Sequence, residues 1–124
     1  MERNVLEFIR EHKIIAIVRG ISSAQIVQLV QAMVDGGVRC VEVTFDQSSE
    51  EKRQDTLKSI STIRETFGDQ VSVGAGTVMT VEQVHQAREA GAEYIISPNV
   101  NEAVIRETKA LGMVSIPGAY TGSL

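Results

Sequence analysis

A parallel α/β fold is expected of this chain of 124 residues, and three observations predict it. Five short β-type runs alternate with four segments of helical periodicity. Capping signatures open three of the helical segments, and glycines close all four. Strict βαβα order with short connections means parallel strands joined by right-handed crossovers.

The elements follow in order. A short leading helix is expected over residues 4–12, carried by Val5, Leu6 and Ile9. The first strand is Ile14–Arg19, apolar up to its terminal arginine. Ser22–Asp35 reads as a helix, with Ile26, Val27, Val30, Met33 and Val34 on one face, a Ser22/Gln25 capping box, and Gly36-Gly37 as its stop. Cys40–Phe45 is the second strand. The next helix, Ser49–Phe67, has Leu57, Ile60, Ile63 and Phe67 as its stripe, Ser48/Glu51 as its box and Gly68 as its stop. Val71–Gly74 is the third strand. Thr80–Ala90 is a weaker helix carried by Val81, Val84 and Ala87, opened by Thr80/Gln83 and closed by Gly91. Tyr94–Ser97 is the fourth strand, Asn101–Leu111 the last helix, stopped by Gly112, and Met113–Pro117 the fifth strand. No linker or low-complexity tract divides the chain, so residues 1–124 read as one unit.

At 43% hydrophobic and 23% charged, the composition is that of an ordinary globular domain. A net charge of -4 argues against nucleic acid or an anionic membrane as partner. The absence of Trp, with two Tyr and three Phe, argues against a base-stacking platform. One cysteine, Cys40, excludes a disulfide framework and reads as a small buried hydrophobe. Glu7, Arg10, Glu11 and His12 interrupt any signal-peptide core, and no apolar run approaches a membrane span, so the expected location is cytoplasmic.

Two architectures satisfy this pattern: a doubly wound five-stranded sheet, or the first five strands of a (β/α)8 barrel. In both, ligands bind beyond the C-terminal strand ends. Those ends deliver Arg19-Gly20, then Glu42 and Thr44, Gly74-Ala75-Gly76-Thr77, Ser97-Pro98-Asn99, and Pro117-Gly118-Ala119-Tyr120-Thr121. Glu42 stands out as a carboxylate inside a run that otherwise reads as a fully buried parallel strand. It must meet a polar partner, be protonated, or cost several kcal/mol in desolvation. Thr44, two residues on, shares its face. Arg19 offers a planar fork for a carboxylate or phosphate, or a counter-ion for Glu42. Gly74-x-Gly76-Thr77 lets backbone N–H groups approach an anion, although the P-loop and dinucleotide patterns are incomplete. His12 and His85 read as non-functional, Glu50–Lys58 as a solvated helix face, and no metal-ligand spacing is present.

Together these motifs resemble the bacterial aldolases acting on 2-keto-3-deoxy-6-phosphogluconate and 4-hydroxy-2-oxoglutarate. The matching stretches are Ile15-Ala16-Ile17-Val18-Arg19-Gly20, Gly36-Gly37-Val38-Arg39, Val41-Glu42-Val43-Thr44, Gly74-Ala75-Gly76-Thr77-Val78, Ile96-Ser97-Pro98-Asn99 and Ile116-Pro117-Gly118. The resemblance implies a (β/α)8 barrel, here truncated to about five βα units, commonly trimeric, working as a class I aldolase with no metal or cofactor. It implies Glu42 as the acid/base, Arg19 and Thr77 as ligands of the pyruvyl carboxylate, and Thr44, Gly76 and Pro98 as further substrate contacts. The substrate implied is a 2-keto-4-hydroxy acid cleaved to pyruvate and an aldehyde.

Two departures qualify that expectation. Asp46 stands where the phosphogluconate branch has a substrate-holding arginine. Lys13, Lys52, Lys58 and Lys109 all lie away from C-terminal strand ends, whereas the family's Schiff-base lysine is on a sixth strand. The 124-residue chain is therefore expected to be inactive alone. Its open edges predict pairing with another copy or partial disorder. The rival reading is a complete doubly wound binding or signalling module, and a third is an inactive interaction subunit.

Overall fold

The computed structural model describes residues 3–118. Its order is α1 (Val5–His12), β1 (Ile15–Val18), α2 (Ile26–Asp35), β2 (Cys40–Thr44), α3 (Glu50–Phe67), a 3-10 turn at Gly68–Gln70, β3 (Ser72–Gly76), α4 (Val81–Ala90), β4 (Tyr94–Ser97), α5 (Glu102–Ala110) and β5 (Val114–Pro117). The five strands form one parallel sheet in the order β1-β2-β3-β4-β5. A doubly wound sheet reverses its strand order at a switch point. This one does not, so the arrangement is of the barrel type. Ala119-Tyr120-Thr121, expected to continue the fifth strand end, lie outside the described residues.

Alternation along the strands assigns two faces. Val41 and Val43 of β2, Val73 and Ala75 of β3 and Ile95 of β4 join Ile26, Val30, Ile60, Ile63, Val84 and Val104 of the helices in one buried cluster. Each fully buried Val or Ile contributes roughly 1.5–3 kcal/mol, so the sheet–helix layer holds this fold together. The opposite face carries the row Ile17, Glu42, Gly74, Tyr94 and Val114, which the register sets side by side. That face is less covered: Ile17 at its β1 edge is 59% exposed.

Helix starts diverge from the sequence signals at two places. Helix α2 begins at Ile26 rather than just after Ser22, because residues 22–25 form a turn in which Gln25 N–H donates to Ser22 O at 3.0 Å. Asp55 of α3 takes the Ser23 N–H and hydroxyl at 3.0 and 2.6 Å, which ties that turn to α3. Helix α3 is capped by Ser49, not Ser48, its Oγ accepting from Lys52 N–H. Thr80 and Asn101 cap α4 and α5 through Gln83 N–H and Val104 N–H. Asn4 caps α1 in the same way, and Arg3 beside it donates to the carbonyls of Asp69 and Val71 at the entry to β3.

The third strand runs to Gly76, beyond the Gly74 that the sequence pattern suggested. Ladder pairing with β2 continues to Gly76, and Gly74 is a strand residue whose lack of a side chain has a steric use. A Cβ at Gly74 would lie inside the Tyr94 ring, and Tyr94 crosses β3 there to donate its hydroxyl to Val41 O at 2.6 Å. Gly74 is thus a gap that an aromatic ring fills. Tyr94→Phe should lower stability by about 1–2 kcal/mol, since it leaves a buried carbonyl without this donor. Urea unfolding checks this; an unchanged midpoint would show the bond to be immaterial.

Candidate active site

Glu42 lies at the middle of β2 and is 5% exposed. Its side chain leans toward the C-terminal end of β3, where a Cβ on Gly76 would coincide with its carboxylate. Gly76 therefore exists as room for Glu42, as Gly74 does for Tyr94. The sequence pattern assigned these glycines to close approach of an anion; in the structure the space at each is taken by a side chain. Neither is at positive φ.

Among the described residues no donor stands within hydrogen-bond distance of the Glu42 carboxylate. Burial pushes its pKa up from the ordinary glutamate value, and the positive charge of Arg19 partly offsets that rise. Arg19 itself is exposed and makes no ion pair with Glu42 within 4.0 Å among the described residues. The counter-ion alternative thus reduces to a long-range field, and the guanidinium remains available to a ligand. Burial likewise raises the Cys40 thiol and the Tyr94 phenol, so both are neutral near pH 7.

Thr44, 7% exposed, shares the face of Glu42, and its hydroxyl donates to Val18 O at 3.3 Å. Thr77 follows β3 directly and is half-buried with φ 54°, the left-handed region. For a β-branched residue that conformation is strained, at a cost on the order of 1–3 kcal/mol. Its carbonyl accepts from Gln47 Nε2 at 2.8 Å. Pro98, directly after β4, is exposed at the C-terminal end of that strand. Arg19, Thr44, Gly76, Thr77 and Pro98 thus lie at the C-terminal ends of consecutive strands, with Glu42 at mid-strand leaning toward the same edge.

Asp46 is held within the loop that follows β2. Its Oδ1 accepts from Ser48 N–H at 2.9 Å and its Oδ2 is 3.5 Å from Lys52 Nζ. The Ser48 hydrogen bonds, with Lys52 beside them, hold its carboxyl below the usual range. Both residues line a cleft of about 200 Å³ between the loop after β1 and the start of α3. Glu42 does not line that cleft, so it is not where a buried acid could act.

Tyr94, Gln47 and Gln83 carry no sign of these contacts in the sequence: Tyr94 reads only as the first residue of a strand and Gln83 only as half of a capping box. The lysines lie away from the C-terminal strand ends: Lys52 and Lys58 are on α3 and Lys109 on α5, while Lys13 caps the end of α1 rather than opening the first strand. Among the described residues no group of three His, Cys, Asp or Glu side chains is placed to hold a metal ion. No helix of the described residues is long and apolar enough to cross a membrane.

A parallel sheet in sequential strand order, with a desolvated acid and a strained threonine at its C-terminal edge, places this chain in the (β/α)8-barrel class. Residues 5–123 match the KDPG and KHG aldolase family, and the chain belongs to that family. It is 41% identical over 92 residues to a 2-dehydro-3-deoxy-phosphogluconate aldolase of Treponema pallidum, covering 74% of this chain and 40% of the relative. It is 34% identical over 110 residues to a 2-dehydro-3-deoxy-6-phosphogalactonate aldolase of Escherichia coli, covering 89% and 51%. The KDPG aldolase of Legionella pneumophila, solved with pyruvate captured at low pH as a covalent carbinolamine intermediate, superposes with a TM-score of 0.75. Its identity is 28%, over 88% of this chain and 50% of that one. The chain spans about half the length of the curated relatives it matches.

Proposed function

We propose that this chain carries the carboxylate-binding and proton-transfer part of an aldolase site that cleaves a 2-keto-4-hydroxy acid to pyruvate and an aldehyde. One observation carries the reading: Glu42 is desolvated on the open face of the sheet, with the strand ends bearing Arg19 and Thr77 on either side. An acid whose pKa is raised toward neutrality can both accept and return a proton.

In this reading Arg19 and Thr77 hold the carboxylate of the oxo acid, while Thr44, Gly76 and Pro98 shape the rest of its bed. A lysine amine adds to the 2-oxo carbon and water leaves, giving a Schiff base. Glu42 then takes the proton of the 4-hydroxyl as the C3–C4 bond breaks and its electron pair passes into the iminium. The aldehyde departs, Glu42 returns the proton to C3, and hydrolysis releases pyruvate. None of Lys13, Lys52, Lys58 and Lys109 is placed to be that amine, so it has to come from the part of the family barrel that this chain does not span. Asp46, held by Ser48 and Lys52 where one branch of the family has an arginine, favours a substrate with no phosphate at that edge. We read residues 1–124 as one incomplete barrel domain of a cytoplasmic homo-oligomer, a trimer by family resemblance.

Two experiments test this. Borohydride with pyruvate should leave no stable adduct on the chain alone, and an adduct on any of its lysines would refute the missing-amine reading. A chimera joined after Gly118 to the second half of a family member should trap pyruvate and release it from a 2-keto-4-hydroxy acid. A folded chimera that traps pyruvate but never cleaves would refute the assignment of the proton-transfer part to this half.

A further inference from the structure

Gln47, in the loop after β2, and Gln83, in the first turn of α4, meet beyond the C-terminal ends of β2 and β3. Gln83 Nε2 donates to Gln47 Oε1 at 2.8 Å, and Gln47 Nε2 donates to Gln83 Oε1 at 3.1 Å and to Thr77 O at 2.8 Å. Gln83 Oε1 also accepts from Met79 N–H at 2.9 Å. The amide pair therefore grips the peptide on either side of Val78, directly after the strained Thr77. Gln83 is 8% exposed and is fixed in turn, since its own N–H donates to the Thr80 cap at 3.1 Å. A β-branched residue stays at positive φ only where its surroundings over-determine it. Here the surroundings are two amides, an acceptor for Val78 N–H at Ile96 O, and the ladder bond from Phe45 N–H to Gly76 O.

We propose that Gln47 and Gln83 form a clamp that holds Thr77 in its left-handed conformation, and so act as positioning residues for the carboxylate of the oxo acid. The clamp stands on geometry alone; the carboxylate part rests on the reading of Thr77 given under the proposed function. Without the clamp, Thr77 relaxes to negative φ, and its side chain leaves its present place at the C-terminal end of β3.

The test uses the 124-residue chain itself, isotope-labelled, with pyruvate as probe. The HN–Hα coupling and carbon shifts of Thr77 report φ, and a pyruvate titration followed at the Thr77 and Val78 amides reports affinity. Gln47→Leu should move Thr77 to negative φ while the amides of β2 and β4 keep their shifts. It should also weaken pyruvate about tenfold, the equivalent of one charge-assisted hydrogen bond. Gln83→Met removes the acceptor for Met79 N–H and both bonds to Gln47, so it should give the same changes in a chain that folds. Unchanged φ in both variants overturns the clamp. Altered φ with affinity held within about twofold overturns the positioning role. No response to pyruvate in the unsubstituted chain overturns that role together with the carboxylate reading, and the Thr77 coupling then decides the clamp alone.

Discussion

Gly76→Ala should lower the activity of the completed barrel by about 10²-fold or more, because it displaces the acid that moves the protons. A methyl at this position would occupy the place of the Glu42 carboxylate, and the nearby atoms Cδ and Cγ leave the side chain little room to step aside. β3 cannot retreat either, since Gly76 O accepts the ladder bond from Phe45 N–H at 2.9 Å. The carboxylate must swing out of its bed, with an overpacking cost of roughly 1–3 kcal/mol. The control is Gly74→Ala, which collides instead with the Tyr94 ring. Both variants should lose stability in urea, but only Gly76→Ala should move the titration of Glu42 toward an ordinary glutamate. Wild-type kcat in a Gly76→Ala chimera would remove Glu42, in its present position, from the mechanism.

That contrast shows how much of the site the amino-acid pattern could reveal. Glu42 was visible because a lone carboxylate breaks an otherwise apolar strand, which is a one-dimensional signal. The two glycines were visible too, but their use was not. What fills the space above a glycine depends on register, and the partners of Gly74 and Gly76, Tyr94 on β4 and Glu42 on β2, are 20 and 34 residues away along the chain. Periodicity alone could not give the strand order, since it is the same whether successive crossovers run one way or reverse; the strand-end motifs, through the family resemblance, pointed to the sequential order that the sheet has. The pairing of Gln47 and Gln83 lay hidden for a related reason: an uncharged amide carries no electrostatic mark, and the capping box that picks out Gln83 says nothing of its partner in the loop after β2. Only the fold brings the pair together. The caps show a milder limit, since Ser48 and Ser49 offer the same hydroxyl and tertiary context chose Ser49, with Asp46 claiming the Ser48 N–H.

Replacing the acid itself gives the other large effect. Glu42→Gln should lower kcat of the completed barrel by about 10²–10⁴-fold, the usual worth of a positioned acid/base. The same change should stabilise the chain near pH 7, and the sign follows from linkage. Burial raises the folded-state pKa of Glu42 above its unfolded value. Below the unfolded value, about 4.3, both states are protonated and the group's contribution is fully present. As pH rises toward the folded pKa the unfolded state gives up its proton first, and stability falls by up to about 1.4 kcal/mol per pH unit. Above the folded pKa the loss is complete and the curve is flat. Glutamine, neutral throughout, has no such slope. The stability difference between Glu42→Gln and wild type should therefore be small near pH 4, grow in favour of glutamine through the window above it, and level off. Urea unfolding at closely spaced pH values checks this without any activity assay. Parallel curves would mean that Glu42 is as well solvated in the folded chain as in the unfolded one. A Glu42 of that kind could not be the desolvated acid that the mechanism requires.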